Sequence, residues 1–452
     1  MQNSQTAITN NEEEIKKLSE LIEFAIGGDW GKDISFATDE YVPVKVIRGT
    51  EFANWNTNKA NSAAIRKIKI SSLEKRRLRA GDLIVEISGG GPSQPVGRVI
   101  HIDMDLVSKS EMPYVCSNFF RLVRLKDTVI PKYVKFALDY QYQSGEVNKY
   151  QTSSTNLRNL NFPDYLNGVE IPIYSKEVQQ LLSDKLQLHT DTVLIAKEKI
   201  SKAKLLIQKF RQSVLSAAVT GKLTEGWRGD GQYKTVSLER LTTVIPENWE
   251  IISFGEKIKV LTDYHANGSY KTLKEHVELK EKQDYAIMIR TTNFEKNDFE
   301  KNLKYISKSA YEFLDKSKVF PEDILMNKIA NPGVTYFMPN LGRPVSLAMN
   351  LFLIRTVSDV KQQYAYYYLR AKESMVKSFS RGSTTKTIDK HSVRSIPFVL
   401  PPIDEQTEII SRIRSLMKIA DQTEQQIENA EKRTNKLTQA ILGKAFRGEL
   451  VN

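Results

Sequence analysis

The stretch AVTGKLTEGW at residues 218–227 resembles AILGKAFRGEL at residues 440–450, near the end of the chain. Each closes a long polar segment in which an apolar residue recurs every three or four positions, the spacing of one face of an α-helix. Two copies of one unit therefore make up the chain, because further matches precede both endings in the same order. These matches are VEIPIYSKEVQ (169–179) with FVLPPIDEQTE (398–408), SNFFRLV with MNLFLIR through Asn118 and Asn350, VPVKVIRGTEF (42–52) with YAIMIRTTNF (285–294), and LSELIEF (18–24) with FGEKIKV (254–260).

Short apolar runs that are rich in β-branched and aromatic residues, such as VPVKVI, DLIVEI and YAIMI, lie between Gly, Pro and Asn residues in both copies. Such runs predict strands joined by turns. Helical patterns occur at equivalent places in the two copies, over 130–143 and 361–376. We therefore expect an α+β protein with two mixed α/β domains of about 150 residues each, related by a pseudo-twofold repeat.

Each copy ends in a predicted long helix with apolar residues at seven-residue intervals, and a second set that includes His189 and Phe210 completes an a and d seam. A single helix of this kind commonly packs on its own domain, but two matched helices favour an antiparallel two-helix coiled coil that separates the domains. At 1.5 Å per residue such a rod is roughly 65 Å long. The seam residues are Leu186, Val193, Ile200, Ile207 and Val214 in the first helix, and Ile413, Ala420, Ile427 and Ile441 in the second.

These patterns divide the chain into six segments. The predicted segments are a first domain over 1–172, a central long helix over 173–222, a linker over 223–245, a second domain over 246–400, a C-terminal long helix over 401–445 and a tail over 446–452.

The formal net charge of +12 makes polyanions the first partners to consider, although many basic proteins owe their charge to solubility alone. The single cysteine, Cys116, lies in an apolar context typical of a core residue, and one cysteine allows no internal disulfide. The five histidines are scattered without zinc-ligand spacing, and no apolar run is long enough to span a bilayer. We expect a cytoplasmic protein with no metal site and no membrane partner.

The sequence lacks the motifs of the catalytic classes that act on DNA. An adenine methyltransferase needs an Asn or Asp followed by Pro-Pro and an aromatic residue, and the strings ANPGV (330–334) and NFPDY (161–165) do not fit that pattern. The segment SGGGPSQPVG (88–97) leads into a predicted strand, which favours a hairpin loop over a phosphate cradle. We predict no catalytic residues, so the chain is not expected to be an enzyme.

A duplicated domain of this size, with each copy followed by a long helix ending in Ala-x-x-Gly-Lys, resembles the specificity subunit of type I restriction-modification enzymes. The resemblance covers almost the whole chain. The stretches that carry it are IPENWEIISFGEKI (245–258), LPPIDEQTEIISRI (400–413) and KLTQAILGKAFRGEL (436–450), together with their counterparts in the first copy.

The resemblance implies two target-recognition domains on double-stranded DNA, each reading one half of an asymmetric bipartite site, with the helices setting the gap. It also implies two methyltransferase subunits as partners, and restriction or motor subunits in the full complex. The partner methyltransferases bind S-adenosylmethionine and methylate adenine, whereas this chain itself needs no cofactor. The alternative is a coiled-coil scaffold without DNA sequence preference, and a stand-alone modification or cleavage enzyme is disfavoured by the missing motifs.

Equivalent loops of duplicated domains should face equivalent grooves of DNA, so matched polar loop residues are the candidate contacts. The alternative for Arg48 and Arg290 is that they end strands and pair internally, and the alternative for the basic run at 75–77 is a solvated face. The candidate DNA-binding residues are Arg48, Thr50, Lys75, Arg76, Arg77, Arg98, Ser153, Ser154, Thr155, Arg290, Thr291, Thr292, Arg381, Ser383, Thr384 and Lys386.

Overall fold

The fold is known from a computed structural model, which describes residues 14–36, 38–53, 55–91, 94–154, 157–229, 231–447 and 449–450. The chain forms two compact units: unit 1 comprises Met1–Ser201 and Glu428–Asn452, and unit 2 comprises Lys202–Ile427. Each unit combines several sheets with helices, and a long helix connects the two sheet-rich regions, which confirms the predicted fold class.

Unit 1 is built on a four-stranded antiparallel sheet and two three-stranded sheets. Its described strands are β1 (Glu14–Lys17), β2 (Ile22–Gly27), β3 (Tyr41–Ile47), β4 (Ala64–Lys69), β5 (Leu83–Glu86), β6 (Ser88–Gly90), β7 (Val99–His101), β8 (Tyr114–Cys116), β9 (Phe120–Leu125), β10 (Gln151–Ser154), β11 (Leu157–Leu160) and β12 (Glu170–Ile173). The sheet orders are β2-β9-β5-β7, β4-β3-β8, β10-β11-β6 and β1-β12. Among these pairs only β3 and β8 run parallel.

Unit 2 repeats this plan. Its described strands are β13 (Tyr233–Leu238), β14 (Leu241–Pro246), β15 (Glu250–Ser253), β16 (Ile258–Asp263), β17 (Ala286–Ile289), β18 (Tyr305–Ile306), β19 (Lys318–Val319), β20 (Ile324–Asn327), β21 (Thr335–Phe337), β22 (Val345–Leu347), β23 (Leu351–Thr356) and β24 (Pro397–Leu400). The orders β16-β23-β20-β21 and β15-β24 match those of unit 1. The sheet β18-β17-β22-β19 matches β4-β3-β8 with β19 added at its edge, and β17 again runs parallel to β22. The inner strands β5 and β20 are buried throughout, which explains their apolar runs LIV and ILM, and each run is followed by a buried polar residue, Glu86 or Asn327.

The helices around these sheets are mostly short. In unit 1 they are α1 (Leu18–Leu21), α2 (Gly49–Ala53), α3 (Trp55–Asn58), α4 (Ile70–Arg76), α5 (Met104–Ser108), α6 (Pro131–Ser144) and α7 (Phe162–Gly168), and the first long helix is α8 (Lys176–Ala218). Unit 2 has α9 (Glu225–Arg228), α10 (Tyr270–His276), α11 (Thr291–Glu295), α12 (Lys308–Phe313), α13 (Gln362–Ala371), α14 (Glu373–Ser378) and α15 (Lys390–Arg394), and the second long helix is α16 (Ile403–Phe446). Single 3₁₀ turns occupy Glu146–Tyr150, Lys222–Thr224, Phe254–Lys257, Tyr264–Asn267 and Asp315–Ser317.

Buried polar contacts recur at the same places in both units. Gln179, near the start of α8, accepts a hydrogen bond from the backbone of Ile130 (2.8 Å), and Gln406, near the start of α16, accepts one from the backbone of Lys361 (2.8 Å). In each case the amide holds the entry to a sheet-packed helix, α6 or α13, against the long helix that follows in sequence. Because a buried backbone donor needs a partner, these side chains fix the same junction twice.

Each long helix contributes one segment to each unit, and within each unit the two segments run antiparallel. In unit 2, Val214 and Ala218 share a core with Ile409 and Ile413, and further along Arg211 pairs with Asp421 (2.6 Å). In unit 1, Leu186 packs with Leu442 and Ala445. The predicted antiparallel pairing of the two helices therefore holds within both units.

The seven-residue series occupies the inward face of α8, whereas the second predicted series is wrong in part. Leu186, Val193 and Val214 are buried, and Ile200 and Ile207 are half-buried. On α16, Ile413 and Ala420 are buried, and Ile427 and Ile441 are half-buried. His189 and Phe210 are exposed. The buried face of α8 therefore does not follow a two-helix seam alone, since Leu186 packs on Phe136 of the first domain as well as on α16.

The two Gly-Lys segments have different structures. Gly221 follows the end of α8 with a φ of +76°, a conformation that glycine adopts without strain, whereas α16 continues through Gly443 to Phe446. The interval from Pro172 to Gly221 is seven residues longer than the equivalent interval from Pro401 to Gly443. The two helices are nevertheless almost equal, at 43 and 44 residues, so this difference does not lengthen the first helix.

The segments predicted as a linker and a tail are both structured where they are described. The range 223–245 contains α9, β13 and most of β14, and β13 pairs with β14. In the range 446–452, Phe446 and Leu450 pack beside Leu186 and Phe136 in unit 1. A helix long and apolar enough to cross a membrane does not occur in the described parts of the chain.

Candidate nucleic-acid interface

In unit 1 three segments converge at the carboxyl ends of the parallel strands β3 and β8. Arg48 to Thr50 leave β3, and the turn formed by Asn118 and Phe119 leaves β8. The third segment is the β10–β11 hairpin. Ile87 joins the last two, because its N–H donates to the carbonyl of Phe119 (2.9 Å) and its carbonyl accepts from the N–H of Leu160 (2.9 Å).

Unit 2 brings the equivalent segments together in the same way. Arg290 to Thr292 leave β17, the turn formed by Met349 and Asn350 leaves β22, and the loop over 381–387 lies beside them. Lys328 takes the place of Ile87: its N–H donates to the carbonyl of Asn350 (2.9 Å), and its carbonyl accepts from the N–H of Ile388 (3.0 Å). The duplication therefore places the same three-segment surface on both units.

Arg48 is tied into its own domain. Its guanidinium donates to Glu51 (3.0 Å) and to the carbonyl of Ser62 (2.8 Å), and its backbone N–H also donates to Glu51 (2.8 Å). Burial by itself raises the pKa of Glu51, but hydrogen bonds from Arg48, Ser62 and Thr50 outweigh burial and hold that pKa at about 2. Glu51 is thus an anion that fixes the first turn of α2.

Arg290 and Thr291 are anchored by analogous bonds in unit 2. The Arg290 backbone N–H donates to Asn293 (3.0 Å), and its guanidinium donates to the carbonyl of Asn302 (2.8 Å). Thr291 Oγ1 donates to Asn327 Oδ1 (2.7 Å), while Thr292 is exposed. An amide replaces the carboxylate of unit 1, so this turn carries one negative charge fewer. Whether these residues also touch DNA stays a prediction.

The remaining candidates of unit 1 divide into two groups. Arg98 lines the same cleft as Arg48, and an ion pair with the buried Glu86 (2.5 Å) raises the pKa of its guanidinium. The basic run lies on α4 and just after it, outside that cleft. There Arg76 donates to the carbonyl of Gly27 (2.8 Å), whereas Lys75 and Arg77 are exposed.

The hairpin candidates occupy the third segment of each surface. Ser153 and Ser154 lie at the end of β10, where they pair with Arg158 and Leu157, and Thr155 lies outside the described residues. In unit 2, Arg381 forms an antiparallel bridge with Thr387. The loop closed by this bridge exposes Arg381, Ser383, Thr384 and Lys386.

Sequence reasoning missed the turn residues, because it used Asn118 and Asn350 only as landmarks and aligned them one position out of register. Cys116 pairs with Ile47 and Leu347 pairs with Ile289, so the structure matches Asn118 with Met349 and Phe119 with Asn350. The available signal was a large apolar residue beside an asparagine between two apolar strands. Phe119 is 50% exposed and Met349 is 46% exposed.

Other reactive groups are buried or isolated. Cys116 is buried, and burial raises the pKa of its thiol to about 12, so it is a core residue as its sequence context indicated. Within the segment 88–97 Gly91 forms an antiparallel bridge with Gln94, as a hairpin loop requires, and residues 92–93 lie outside the described residues. Over the part of the chain that the structure describes, no group of three or more His, Cys, Asp or Glu side chains is arranged to hold a metal ion.

The sequence and the architecture are similar to those of known proteins. A family model described as the type I restriction modification DNA specificity domain matches residues 246–432. The StySPI specificity subunit of Salmonella potsdam, a type I restriction enzyme subunit, is 24% identical over 434 residues, covering 92% of this chain and 84% of that relative. The EcoKI specificity subunit of Escherichia coli (strain K12) is 25% identical over 431 residues, with the same coverage. Over most of its length the chain is similar to type I restriction-modification specificity subunits.

A solved structure of a type I restriction-modification system contains a chain with the same fold as this one. The TM-score is 0.66 at 16% identity, and the match covers 97% of this chain and 98% of that one. The family model matches the second copy of the duplicated unit, and the first copy shares its central strand orders, β2-β9-β5-β7 with β16-β23-β20-β21 and β4-β3-β8 with β18-β17-β22. The chain thus presents the three-segment surface twice, once in each unit.

Proposed function

We propose that this chain is a type I specificity subunit that selects an asymmetric bipartite DNA site, with each unit reading one half-site and the long helices setting the gap between them. The observation that carries the proposal is the three-segment surface, which has the same backbone contacts in both units but different exposed side chains. A shared frame with different side chains suits two readers of different sequences, because base edges are distinguished by the side chains that reach them.

The partners of this role are double-stranded DNA, two methyltransferase subunits, and restriction or motor subunits in the full complex. Within unit 1, α8 has apolar side chains on the face opposite its seam, where Leu181, Leu188 and Ile195 are 39%, 68% and 55% exposed. Exposed apolar residues at helical spacing are typical of protein interfaces, and we assign this stripe to a methyltransferase subunit. In this proposal the partner binds S-adenosylmethionine and carries out catalysis, and the specificity subunit needs no cofactor and no catalytic residue of its own.

The proposal is tested by co-expressing the chain with its methyltransferase subunit and mapping methylated adenines across the host genome. We expect a two-part motif with an unspecified gap. Absence of methylation with a methyltransferase that is active with another specificity subunit would contradict the proposal and favour the scaffold.

Salt dependence separates the same two functions on the purified complex. Affinity that comes only from phosphate contacts falls steeply with salt for every DNA sequence. A specificity subunit retains a preference for its site over unrelated DNA as salt rises, because base contacts release few counterions. Equal affinity for both DNAs at every salt concentration would contradict target recognition.

A further inference from the structure

The turns that follow β8 and β22 carry polar and apolar side chains without partners of their own. Asn118 and Phe119 are exposed in unit 1, as are Met349 and Asn350 in unit 2. Among the described residues, the side-chain amides of Asn118 and Asn350 make no hydrogen bond. We propose that these two turns contact base edges and determine the difference between the two half-sites; this inference rests on the proposed function.

The backbone of each turn is held in place by the parallel strands. In unit 1 the N–H of Ser117 donates to the carbonyl of Ile47 (3.0 Å), and in unit 2 the N–H of Ala348 donates to the carbonyl of Ile289 (3.0 Å). The far end of each turn is anchored by Ile87 or Lys328. A recognition residue needs a support of this kind, because a fixed backbone limits the entropy that is lost on binding.

The arginines next to the turns already form hydrogen bonds within their own domains. Arg48 holds Glu51 and Arg290 holds the carbonyl of Asn302, and both contacts form part of the local fold. The turn side chains have no such internal role. They line the same clefts as these arginines, so a base that enters either cleft meets both groups.

The chemistry of the turns suits direct readout of bases. An asparagine amide donates to N7 and accepts from N6 of adenine in a bidentate contact. An apolar side chain contacts the thymine methyl group or packs against a base step. The two units present these groups in opposite order, Asn-Phe in unit 1 and Met-Asn in unit 2, so each turn favours a different arrangement of bases.

The surroundings of the unit 1 turn also suit a nucleic acid. A groove lined by Trp30, Lys32, Lys69 and Asn118 adjoins the first cleft, and the two share Trp30 and Asn118. Lys32 and Lys69 are both exposed. Exposed lysines can contact phosphates and position the backbone, whereas the neutral Asn118 in the same groove is suited to a base.

The experiment uses the complex of the full chain with its methyltransferase subunit and a library of DNA sites. The variants are the double substitution Asn118→Ala with Phe119→Ala, and the double substitution Met349→Ala with Asn350→Ala. Methylation at every base position is read by sequencing. Each variant should lose discrimination about tenfold or more at positions of one half-site only, and the two variants should affect opposite halves.

Single substitutions test the same inference if a double variant folds poorly. Asn118→Asp keeps the size of the side chain but removes its donor, so preference at one position should move from adenine toward cytosine, whose amino group donates to a carboxylate. Met104→Ala and Tyr270→Ala remove similarly exposed apolar side chains that line neither cleft, and they should leave both halves unchanged. Circular dichroism of every variant monitors folding.

The outcomes separate this inference from the function on which it rests. If the unaltered complex yields a two-part motif and folded turn variants preserve both halves at the same rate, the turns do not read bases and target recognition stands. If the unaltered complex yields no motif, the proposed function itself fails. Relaxation of both halves by one variant would also overturn the assignment of one turn to one half-site.

Discussion

Glu405 is a carboxylate that is 1% exposed in unit 2, and it is satisfied by three donors. It accepts from Arg228 (2.6 Å), Thr224 (2.7 Å) and the indole N–H of Trp249 (2.8 Å). Two of these donors follow α8, and the third begins the second domain, so one side chain joins three stretches of sequence. We expect Glu405→Ala to lower the free energy of unfolding by about 3–5 kcal/mol, because Arg228 remains buried without this carboxylate.

The measurement is urea unfolding followed by tryptophan fluorescence. The matched control is Glu408→Ala, one turn along the same helix, whose ion pair with Arg412 is partly exposed (2.6 Å). This control should change the free energy of unfolding by about 1 kcal/mol or less. Equal losses in the two variants would contradict a structural role specific to Glu405.

The ionisation of Glu51 makes the stability of the fold depend on pH in the acid range. Its pKa is about 2 in the folded chain and 4.5 without these contacts, so its stabilising contribution is complete above pH 4.5 and is lost as pH falls toward 2. We expect Glu51→Gln to reduce stability by about 2 kcal/mol at pH 7, since partial exposure of Arg48 screens the pair. Thermal unfolding should show the difference between variant and unaltered protein shrinking below pH 4. A constant difference from pH 7 to pH 2.5 would contradict the assignment.

At the residue scale the sequence identified the arginines but not the turn. Arg48 and Arg290 were matched correctly because apolar strands and a following Phe fix their register, and the structure places both at the end of a strand. The turn was misaligned because the asparagines stand one position apart, and only the pairing of β8 and β22 reveals this shift. Internal bonds such as Arg48 to Ser62 join residues that share no local sequence pattern.

The two Gly-Lys segments show how one sequence pattern serves two local structures. At Gly221 the φ is +76°, and a Cβ would lie 2.2 Å from Pro246 Cγ. At Gly443 the backbone is helical. An added Cβ would lie 2.9 Å from the flexible end of the Arg447 side chain, and no other atom would lie within 3 Å of it. Gly221→Ala should destabilise by at least about 1–2 kcal/mol, whereas Gly443→Ala should be neutral or stabilise by up to about 1 kcal/mol.

Melting temperatures of the two alanine variants check this difference. A fall for Gly443→Ala as large as that for Gly221→Ala would contradict the structural distinction.

At the element scale the repeat and the apolar periodicity predicted both long helices, because their pattern is local. The different ends were not predictable, since Pro246 meets Gly221 only after β13 and β14 have formed their hairpin.

At the scale of the whole molecule, the proposed ruler predicts an effect of helix length. Inserting four residues after Thr434 adds about 6 Å of helix, close to two base pairs of DNA. The gap in the methylation motif should change while both half-sites keep their sequences. A seven-residue insertion, which nearly preserves the apolar face, is the control for a disrupted seam. An unchanged gap in active complexes of both insertion variants would contradict the ruler.

The second domain should be exchangeable as a block, since the chain enters and leaves it through adjacent strands. Glu250 of β15 pairs with Leu400 of β24, so the limits of the predicted range 246–400 lie side by side. A replacement must keep a tryptophan at position 249, because Glu405 lies outside the exchanged range and needs that donor. Replacing 246–400 by the equivalent domain of another specificity subunit should change one half of the methylation motif. A change in both halves would mean that the two surfaces read DNA jointly, since the surface of unit 1 is untouched by the exchange.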